Sequence, residues 1–521
     1  TKVSAQIVRL IHGDEHPDGP GFVEEEVASD IPAEIEATRQ YTQIGSFAEV
    51  TDPDGKLAAP STFSVHAFIY PSLPGHGRRQ AVLGAWSVND SKGYGLGITP
   101  EGHLEFWVGD GDIVDHVTAE MPLVPNVWYF AAATFDPATG TAHLYQIGVM
   151  NRWNSHIGPV TPYDLDSHVS ETLRIKPEPA GATFLLAGAH ERNPKRGDFV
   201  SLNYNGKVDR CGVHGRVLDG REIKAMSEGA PPPDGAIAYW DTTEGYTDNG
   251  IGDTIVDTGP NKLHAEGRNR PVRAMKGWNW IGEDSFRLAP RHYGGIAFHD
   301  DALVDCQWSP TVTWNPPADL KSGVYALRLR AGEAEDHIPV IIRASKPKAP
   351  IAVLMPTFTY LAYANEHMSF EANIAQAITA HTPVLVAEDI EFKKLEEFGL
   401  STYDHHTDGA GVCYSSWRRP IINMRPRYRM PSMTFPWALP ADLSLIWWMD
   451  QSGYDYEVLT DHDLHREGAD ALKPYKAVIN GTHPEYYSEE MLDATEDYLT
   501  SGGRLLYTGG NGYYWVTALC A

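Results

Sequence analysis

Apolar and polar positions alternate in short runs between residues 51 and 230, and clusters of Gly, Pro, Asp and Asn separate the runs. The clearest runs are TFSVHAFIYP, HLEFWVGDGD and VWYFAAATFDPATGTAHLYQIG. Alternation with a period of two, broken at intervals of roughly ten residues, is typical of strands in an all-β sandwich. We therefore predict a β-sandwich over residues 51–230, closing with a short helix at DGREIKAM.

A second β region follows APPPDG (230–235), where successive prolines extend the chain and cannot join a strand ladder. Strand patterns return in AIAYWD, GGIAFHDD, SGVYALRLRAG and HIPVIIRA, all within residues 236–345. The N-terminal residues 1–50 contain a further strand pattern, VSAQIVRLIHGD. We predict that residues 1–50 and 236–345 pair in a small immunoglobulin-like β module.

The pattern changes at residue 349, where APIAVLMPT forms a continuous apolar run. Such a run is expected of a strand that is buried on both faces. Helical patterns (NEHMSFEANIAQAITAH, ADLSLIWWMDQSG, SEEMLDATEDYLT) then alternate with strand patterns (YDYEVLT, YKAVIN, RLLYTGG). This alternation predicts a doubly wound parallel sheet in an amidotransferase-like α/β domain over residues 349–521. Ser488 is the expected N-cap of the last helix.

Polar side chains follow three of these buried strands. Tyr360 and Tyr363 come after APIAVLMPT, His483 and Glu485 after YKAVIN, and Asn511 after RLLYTG. Ligands of open α/β sheets bind beyond the carboxyl ends of the strands, so we expect the functional site at this edge. The loop STYDHHTDGAGVCYSSWRRP, too rich in Gly, Ser and polar rings for a core element, is expected to contribute to the same site.

Seven motifs, in chain order, resemble the beta (large) subunit of the N,N-dimethylformamidase family: PTFTYLAYANEH, STYDHHTDGAGV, RPIINMRPRY, DLSLIWWM, LTDHDLH, GTHPEYY and GGNGYYW. The sandwich region resembles concanavalin-like or laminin-G-like jelly rolls. The family resemblance implies a hydrolase that cleaves N,N-dimethylformamide, or a small N-substituted formamide, to formate and dimethylamine. It also implies a mononuclear ferric ion (Fe3+) and a small helical partner subunit, in a hetero-oligomer of α2β2 composition or larger.

Carried over by position, the resemblance assigns Glu485, Tyr363 and Tyr403 as the metal ligands. Tyr360 and Tyr414 are rival candidates for the two tyrosines. The chemistry of the set agrees with this assignment, because phenolate and carboxylate are hard oxygen ligands. A phenol with an ordinary pKa of about 10 ionises near neutral pH only beside a strong positive charge, which a ferric ion supplies.

His483 and Asn511 match family positions near the metal, and the resemblance assigns both as catalytic residues that orient substrate or water. His483 is also a candidate proton donor to the departing amine. Asn511 lies between glycines, where it equally suits a left-handed turn. The chain starts at Thr1 and stops at Ala521 directly after a strand pattern, so we expect truncation at both ends and a further acidic residue beyond Ala521.

The amino-acid composition argues against some classes of binding partner. Acidic residues outnumber basic ones 69 to 42, for a net charge of -27, which disfavours nucleic acid and anionic membranes. The chain contains no apolar run long enough to span a bilayer and no signal-peptide pattern at its start, so we expect a cytoplasmic protein. Its four cysteines lack the spacing of a zinc cluster or a disulfide scaffold.

Two other functions fit parts of the sequence. The first is a cysteine-dependent hydrolase of the amidotransferase type, because Cys413 lies in a Gly-rich segment of the α/β region, although no nucleophile-elbow motif surrounds it. The second is a non-enzymatic carbohydrate-binding protein, in which Trp86, Trp107 and Trp128 of the sandwich would form a stacking platform.

Overall fold

A computed structural model describes residues 1–149, 153, 166–247, 250–370, 376–377, 380 and 382–520. The chain divides into two compact units. The first unit contains residues 1–42, 305–405 and 411–521, and the second contains residues 43–304 and 406–410. In the part of the chain that the structure describes, no helix combines the length and the apolar character needed to cross a membrane.

Strands dominate the regular structure, as the sequence predicts. From the N-terminus to residue 214 they are β1 (Lys2–His12), β2 (Val23–Val27), β3 (Glu34–Glu36), β4 (Phe47–Val50), β5 (Phe63–Pro71), β6 (Gln80–Ser87), β7 (Lys92–Ile98), β8 (His103–Asp110), β9 (Val114–Pro122), β10 (Tyr129–Asp136), β11 (Thr141–Gly148), β12 (Ser167–Thr172), β13 (Leu185–Leu186), β14 (Ala189–Asn193), β15 (Gly197–Ser201) and β16 (Gly206–His214).

The later strands are shorter on average. They are β17 (Ala236–Trp240), β18 (Tyr246–Thr247), β19 (Gly250–Ile251), β20 (Thr254–Ile255), β21 (Ala265–Arg268), β22 (Val272–Met275), β23 (Gly295–Phe298), β24 (Gly323–Ala331), β25 (Ala334–Ile342), β26 (Ile351–Met355), β27 (Arg429–Met430), β28 (Phe435–Pro436), β29 (Tyr456–Thr460), β30 (Ala477–Asn480), β31 (Tyr486–Tyr487), β32 (Arg504–Leu506) and β33 (Trp515–Val516).

The α-helices of the described residues mostly follow residue 356. They are α1 (Gly220–Ser227), α2 (Thr357–Ala362), α3 (Ala387–Phe392), α4 (Leu439–Gln451), α5 (Asp461–Glu467) and α6 (Glu489–Thr500). Ser488 caps α6 as predicted, because its hydroxyl accepts a hydrogen bond from the Met491 N–H. Of the helix predicted over residues 365–381, residues 371–375, 378–379 and 381 lie outside the described residues, and residues 368–370 form a 3-10 turn.

The second unit contains two large antiparallel sheets around one apolar core. One sheet has the order β12-β11-β10-β5-β16-β23-β22, with β17 also paired to β16. The other has the order β20-β21-β4-β13-β6-β7-β8-β9, extended by β14 and β15. Aromatic side chains from both sheets meet in the core, among them Phe63, Tyr94, Phe106 and Trp240, all fully buried. The predicted β-sandwich is therefore confirmed.

Glycines in β7 and β8 make room for two indoles that lie on the sheet. A Cβ atom added at Gly95 would lie 2.2 Å from the Trp107 ring, and one added at Gly109 would lie 2.7 Å from the Trp86 ring. Trp86 and Trp107 are both buried and meet edge to face at 6.1 Å. Both indoles are therefore core side chains, and they fit there because Gly95 and Gly109 have no side chain.

Five strands between residues 236 and 298, β17 and β20–β23, belong to the sandwich sheets, which corrects their assignment to the small β module, while β18 and β19 pair only with each other. β5 pairs with one edge of β16, and along the other edge β23 pairs with Gly206–Val208 and β17 pairs with Cys211–His214. β4, from the N-terminal fifty residues, likewise pairs with β21 and β13. The prediction took the proline-rich segment 230–235 for a domain boundary, but it only connects two neighbouring strands of one sheet, β16 and β17.

The N-terminal strand β1 does pair with a distant strand in the first unit. β1 and β24 run antiparallel, with Ala5 opposite Leu329 and Arg9 opposite Tyr325. β25 extends this sheet beyond β24, and β2 and β3 both pair with β1. Residues 1–36 and 323–342 thus form a five-stranded antiparallel sheet. Its immunoglobulin-like classification stays a prediction.

A four-stranded parallel sheet, in the order β29-β26-β30-β32, forms the rest of the first unit's framework. Alternate residues of β26 point to opposite faces. Val353 and Met355 pack with side chains of α4, whereas Ala352 and Leu354 pack with side chains of α5 and α6. Helices therefore cover both faces, and this explains why β26 is apolar at every position. The amidotransferase-like classification of the domain stays a prediction.

The packing of Trp107 on Gly95 is testable. We expect Gly95→Ala to lower the free energy of unfolding by about 1–3 kcal/mol, because the new methyl group would overlap a fully buried ring. Gly252→Ala is the control, since a Cβ there meets nothing within 4 Å. That variant should change stability by less than about 0.5 kcal/mol. Equal unfolding midpoints for the two variants in urea would contradict the described packing.

Candidate active site

Two phenol hydroxyl groups converge on one buried carboxylate. The Tyr363 hydroxyl donates to Glu485 Oε2 at 2.8 Å, and the Tyr403 hydroxyl donates to Glu485 Oε1 at 3.1 Å. The two phenol rings stack with their centroids 4.1 Å apart. Tyr363 and Glu485 are 7% and 3% exposed, so the cluster lies inside the first unit. The three residues assigned as ligands from the sequence are therefore neighbours in space.

Helix α2 holds all three segments that carry these side chains. Tyr363 is the C-cap residue of α2, directly after Ala362. The Thr402 N–H and hydroxyl both donate to the Ala362 carbonyl oxygen, at 3.0 and 2.9 Å, which fixes the residue before Tyr403. The Thr359 hydroxyl oxygen accepts the Glu485 N–H at 3.0 Å. One short helix thus sets the distances among the three side chains.

The segment that presents Tyr403 is a polar turn. Asp404 Oδ2 accepts hydrogen bonds from the N–H and the hydroxyl of Ser401, both at 2.8 Å. The Ser401 hydroxyl oxygen accepts the Tyr403 N–H at 3.1 Å, and Asp404 Oδ1 accepts the His367 N–H at 2.9 Å. Ser and Asp are typical of such turns because their side chains satisfy nearby backbone groups.

Three further side chains surround the cluster. His483 Nε2 lies 3.1 Å from Glu485 Oε2, and the His483 ring packs against Trp437 with centroids 4.6 Å apart. The Tyr486 hydroxyl donates to the Tyr403 hydroxyl oxygen at 2.7 Å. The Trp437 N–H is buried and has no acceptor among the described residues. Trp437 and Tyr486 were missed by the sequence analysis, although Tyr486 directly follows Glu485.

Burial dominates the electrostatics of the phenols. It raises the pKa of Tyr363 well above the ordinary value, and the negative charge of Glu485 adds to the effect. It raises the pKa of Tyr403 as well, with hydrogen bonds to Tyr363 and Tyr486 as further causes. Burial alone would raise the pKa of Glu485, but hydrogen bonds from His483, Tyr363 and Tyr403 hold it below its usual range. The cluster on its own is a carboxylate solvated by two neutral phenols.

The donor set fits a small, hard, highly charged cation. Among the described residues, no group of three or more His, Cys, Asp or Glu side chains could hold a metal ion, so a metal here would depend on phenol oxygens. Ligand oxygens around an octahedral ion at roughly 2 Å are themselves separated by about 3 Å. The hydroxyl-to-carboxylate distances of 2.8 and 3.1 Å match that separation. A trivalent ion would also supply the charge that the phenols need in order to ionise.

Other sequence candidates lie outside this cluster. Tyr360 donates its hydroxyl hydrogen bond to Asp442 and is fully buried there. Asn511 is exposed and takes the left-handed conformation with φ of 52°, and among the described residues no contact joins its side chain to the cluster. Its neighbour Gly510 approaches the His483 ring, since a Cβ added there would lie 3.7 Å from Nδ1. Asn511 is therefore near His483 in the chain fold but not part of the hydrogen-bonded set.

The second unit uses two polar residues of the 401–420 loop for its own contacts. His406 Nδ1 lies 2.6 Å from Asp301 Oδ1, and Asp408 Oδ2 lies 3.3 Å from His299 Nδ1. The His299 and His406 rings stack with their centroids 3.9 Å apart. These two loop residues therefore do not join the cluster around Glu485.

The two alternative functions find little support in the structure. The Cys413 thiol donates to the Gly411 carbonyl oxygen at 3.7 Å, and burial raises its pKa, whereas a thiol nucleophile needs a lowered one. Trp86, Trp107 and Trp128 are each 5% exposed or less. They do not form an exposed stacking platform for a carbohydrate.

Comparison with known proteins decides the family. A family model described as N,N-dimethylformamidase beta subunit-like, C-terminal, matches residues 272–521, and one described as the concanavalin A-like lectin/glucanases superfamily matches residues 45–169. The N,N-dimethylformamidase beta subunit of Paracoccus aminophilus is 43% identical over 523 residues, covering 99% of this chain and 68% of that protein. The beta subunit from an Alcaligenes species is 42% identical over 520 residues, covering 98% and 68%.

The chain belongs to the N,N-dimethylformamidase beta subunit family. The resemblance indicated by the seven motifs is thereby confirmed. The laminin-G-like character of the sandwich is supported by the second family model. Among solved structures, the Ruminococcus gnavus IT-sialidase CBM40 is 14% identical to this chain, the match covers 36% of this chain and 97% of the CBM40 chain, and the TM-score is 0.26, too low to carry an argument.

In this member of the family, a buried carboxylate supports the loop that carries Glu485. Asp442, on α4, is fully buried and accepts the Thr482 N–H at 2.5 Å and the Tyr360 hydroxyl. Burial raises the pKa of Asp442 from 3.8 to about 6, and the hydrogen bonds to Tyr360 and Thr482 only partly offset that rise. The folded protein therefore holds the Asp442 proton at pH values where the unfolded chain has lost it.

This proton makes a pH-dependent contribution to stability. The contribution favours folding below about pH 4 and is lost as the pH rises to about 6, for a total of about 3 kcal/mol. We expect Asp442→Asn, which cannot ionise, to gain stability relative to the unmodified protein by that amount between pH 4 and pH 7. Urea unfolding at pH 4, 5, 6 and 7 measures the difference. Parallel pH profiles for the two proteins would show that Asp442 does not titrate in this window.

Proposed function

We propose that this chain acts in an enzyme that hydrolyses N,N-dimethylformamide, or a small N-substituted formamide, to formate and dimethylamine. The observation that supports this best is the convergence of the Tyr363 and Tyr403 hydroxyls on the two oxygens of Glu485. Family membership supports the same reaction class, because both curated relatives are named as N,N-dimethylformamidase subunits. A different reaction at a site of oxygen ligands would not account for the names of these two relatives.

Tyr363, Tyr403 and Glu485 are proposed to hold one ferric ion. Two phenolates and one carboxylate carry three negative charges, which balance a trivalent ion and make its burial affordable. When bound, the ion supplies Lewis-acid polarisation of the formyl carbonyl and lowers the pKa of water at the site. Three protein ligands leave room for both, which is typical of catalytic rather than structural metal sites.

The surrounding side chains are proposed to handle the proton and the substrate. His483, whose Nε2 lies 3.1 Å from Glu485 Oε2, donates a proton to the amine nitrogen as the C–N bond breaks. The Trp437 N–H, which has no acceptor among the described residues, is available to a substrate oxygen. Asn511, on the exposed loop next to Gly510, is proposed to orient substrate or water at the His483 side of the site.

A partner subunit is part of the proposal. The relatives' names describe beta subunits, and we propose that this chain likewise assembles with a small helical subunit in an α2β2 or larger complex. We also propose a cytoplasmic location. All four cysteines, Cys211, Cys306, Cys413 and Cys520, are free thiols, as expected in a reducing compartment.

The ligand assignment can be tested by single substitutions. We expect Tyr363→Phe, Tyr403→Phe and Glu485→Gln each to lower iron content and to reduce formamide hydrolysis by more than about 100-fold, since losing a ligand costs more than losing a supporting hydrogen bond. The matched control is Tyr475→Phe. Tyr475 also donates to a buried carboxylate, Glu457, at 2.7 Å, but lies outside the cluster.

The control variant should keep its iron and its activity. Metal content by elemental analysis and formate release by a coupled assay measure the two quantities for each protein. Full iron content and activity in all three ligand variants would exclude the proposed site. Equal losses in Tyr475→Phe would show that the effect comes from general destabilisation.

Inhibition distinguishes the metal from the cysteine mechanism. We expect a ferric chelator to abolish activity and added Fe3+ to restore it, because the ion supplies the Lewis acid. We expect iodoacetamide to leave most activity intact, because the Cys413 thiol has a raised pKa and reacts slowly. Rapid inactivation by iodoacetamide, blocked by substrate, would favour the cysteine-dependent hydrolase instead.

A further inference from the structure

The Tyr486 hydroxyl belongs to a series of hydrogen bonds that leads through Tyr403 to Glu485. It donates to the Tyr403 oxygen at 2.7 Å, and Tyr403 in turn donates to Glu485 Oε1 at 3.1 Å. Glu485 Oε2 is contacted from the other side by Tyr363 at 2.8 Å and His483 at 3.1 Å. The Tyr486 bond is thus the shortest of those around Glu485 and Tyr403, and it ends on a proposed ligand atom.

The backbone around Tyr486 fixes the position of this hydroxyl. β31 runs parallel to β33, with Tyr486 opposite Trp515. The Thr359 hydroxyl oxygen, which accepts the Glu485 N–H, lies 3.4 Å from the Tyr486 N. Tyr486 itself is half-buried. The same α2 side chain therefore positions both the carboxylate and the phenol that follows it in the chain.

Ionisation of Tyr403 changes what its oxygen can do. A neutral Tyr403 both donates to Glu485 and accepts from Tyr486, whereas a phenolate has lost its proton and can only accept. In that state the Tyr486 hydroxyl is the hydrogen-bond donor already in place at 2.7 Å from the charged oxygen. Hydrogen bonds to an ionised acceptor are shorter and about twice as strong as neutral ones.

We propose that Tyr486 is a positioning residue that holds Tyr403 as a metal-binding phenolate and tunes its donor strength. The proposal rests on the proposed function, because it takes Tyr403 as a ligand of the ferric ion. Groups that hydrogen-bond to metal ligands orient them and adjust their basicity, and their loss typically lowers metal affinity by about 10–100-fold. Tyr486 is a phenol that supports another phenol, where such partners are more often carboxylates or backbone carbonyls.

Tyr486→Phe is the direct test, because it removes the hydroxyl and keeps the ring. The matched control is Tyr487→Phe, the adjacent residue. The Tyr487 hydroxyl accepts a hydrogen bond from Asn480 Nδ2 at 2.9 Å and is more deeply buried than that of Tyr486, but it does not contact Tyr403 or Glu485 among the described residues. Both variants lose one hydroxyl from β31, so a purely structural effect should appear in both.

The measurements use the complete iron-loaded enzyme. A phenolate bound to ferric iron absorbs visible light by transferring charge to the metal, and a hydrogen bond to the phenolate oxygen makes that transfer more costly. We expect Tyr486→Phe to move the visible band to longer wavelength and to speed iron release to a chelator by about 10–100-fold. Tyr487→Phe should leave the band in place and change the release rate by less than about twofold, since it contacts no ligand.

The outcomes separate this inference from the proposed function. A wild-type band that stays unmoved in Tyr486→Phe, with unchanged iron release, overturns the role of Tyr486 and leaves the metal site standing. A band shift of equal size in Tyr487→Phe also overturns it, because the effect would then come from β31 as a whole. A wild-type enzyme that contains no iron and shows no visible band overturns both proposals together.

Discussion

The site depends on hydrogen bonds that tie two distant segments to the short helix α2. Thr359 accepts the backbone N–H of Glu485, and Ala362 accepts two hydrogen bonds from Thr402, one residue before Tyr403. Tyr363 ends the same helix. Because side chains move with the backbone that carries them, these contacts determine whether two phenols can face one carboxylate. The parallel sheet matters chiefly because β26 places α2 at its carboxyl end.

Hydrogen bonds among its own side chains stabilise the polar cluster around Glu485 inside the first unit. Both oxygens of Glu485 accept hydrogen bonds, and the donors Tyr363, Tyr403 and His483 each pack against a neighbouring aromatic ring. In such a setting a complete network is tolerated, whereas a partly satisfied one costs more than an apolar core. The aromatic surroundings of Tyr363, formed by Tyr403, Trp437 and His483, therefore protect and constrain the same groups that perform the proposed chemistry.

The sandwich and the parallel sheet could be predicted from local sequence patterns, whereas Tyr363, Tyr403 and Glu485 were assigned from the resemblance of the motifs that carry them to a known family. Alternation marks the sandwich strands, the continuous apolar run marks β26, and short motifs surround Tyr363, Tyr403 and Glu485. Long-range pairing has no such signature, which is why β17 and β20–β23 were assigned to the small β module and not to the sandwich. The same reason explains why Trp437 was missed, since only the folded backbone brings it to the cluster, whereas Tyr486 directly follows Glu485 in the chain and was overlooked within its own motif.

The wide spacing of the cluster along the chain has a consequence for how it assembles. Tyr363 and Tyr403 lie 122 and 82 positions from Glu485. Ligands that are close together in sequence, such as two cysteines separated by two residues, can bind an ion within a short peptide. The ligand oxygens of Tyr363, Tyr403 and Glu485 come together only when the domain has folded. An ion can therefore bind this site only in the folded protein, and its binding stabilises the native state but not the unfolded chain. Loss of that ion should consequently lower the free energy of unfolding by the amount that its binding to the folded site contributes.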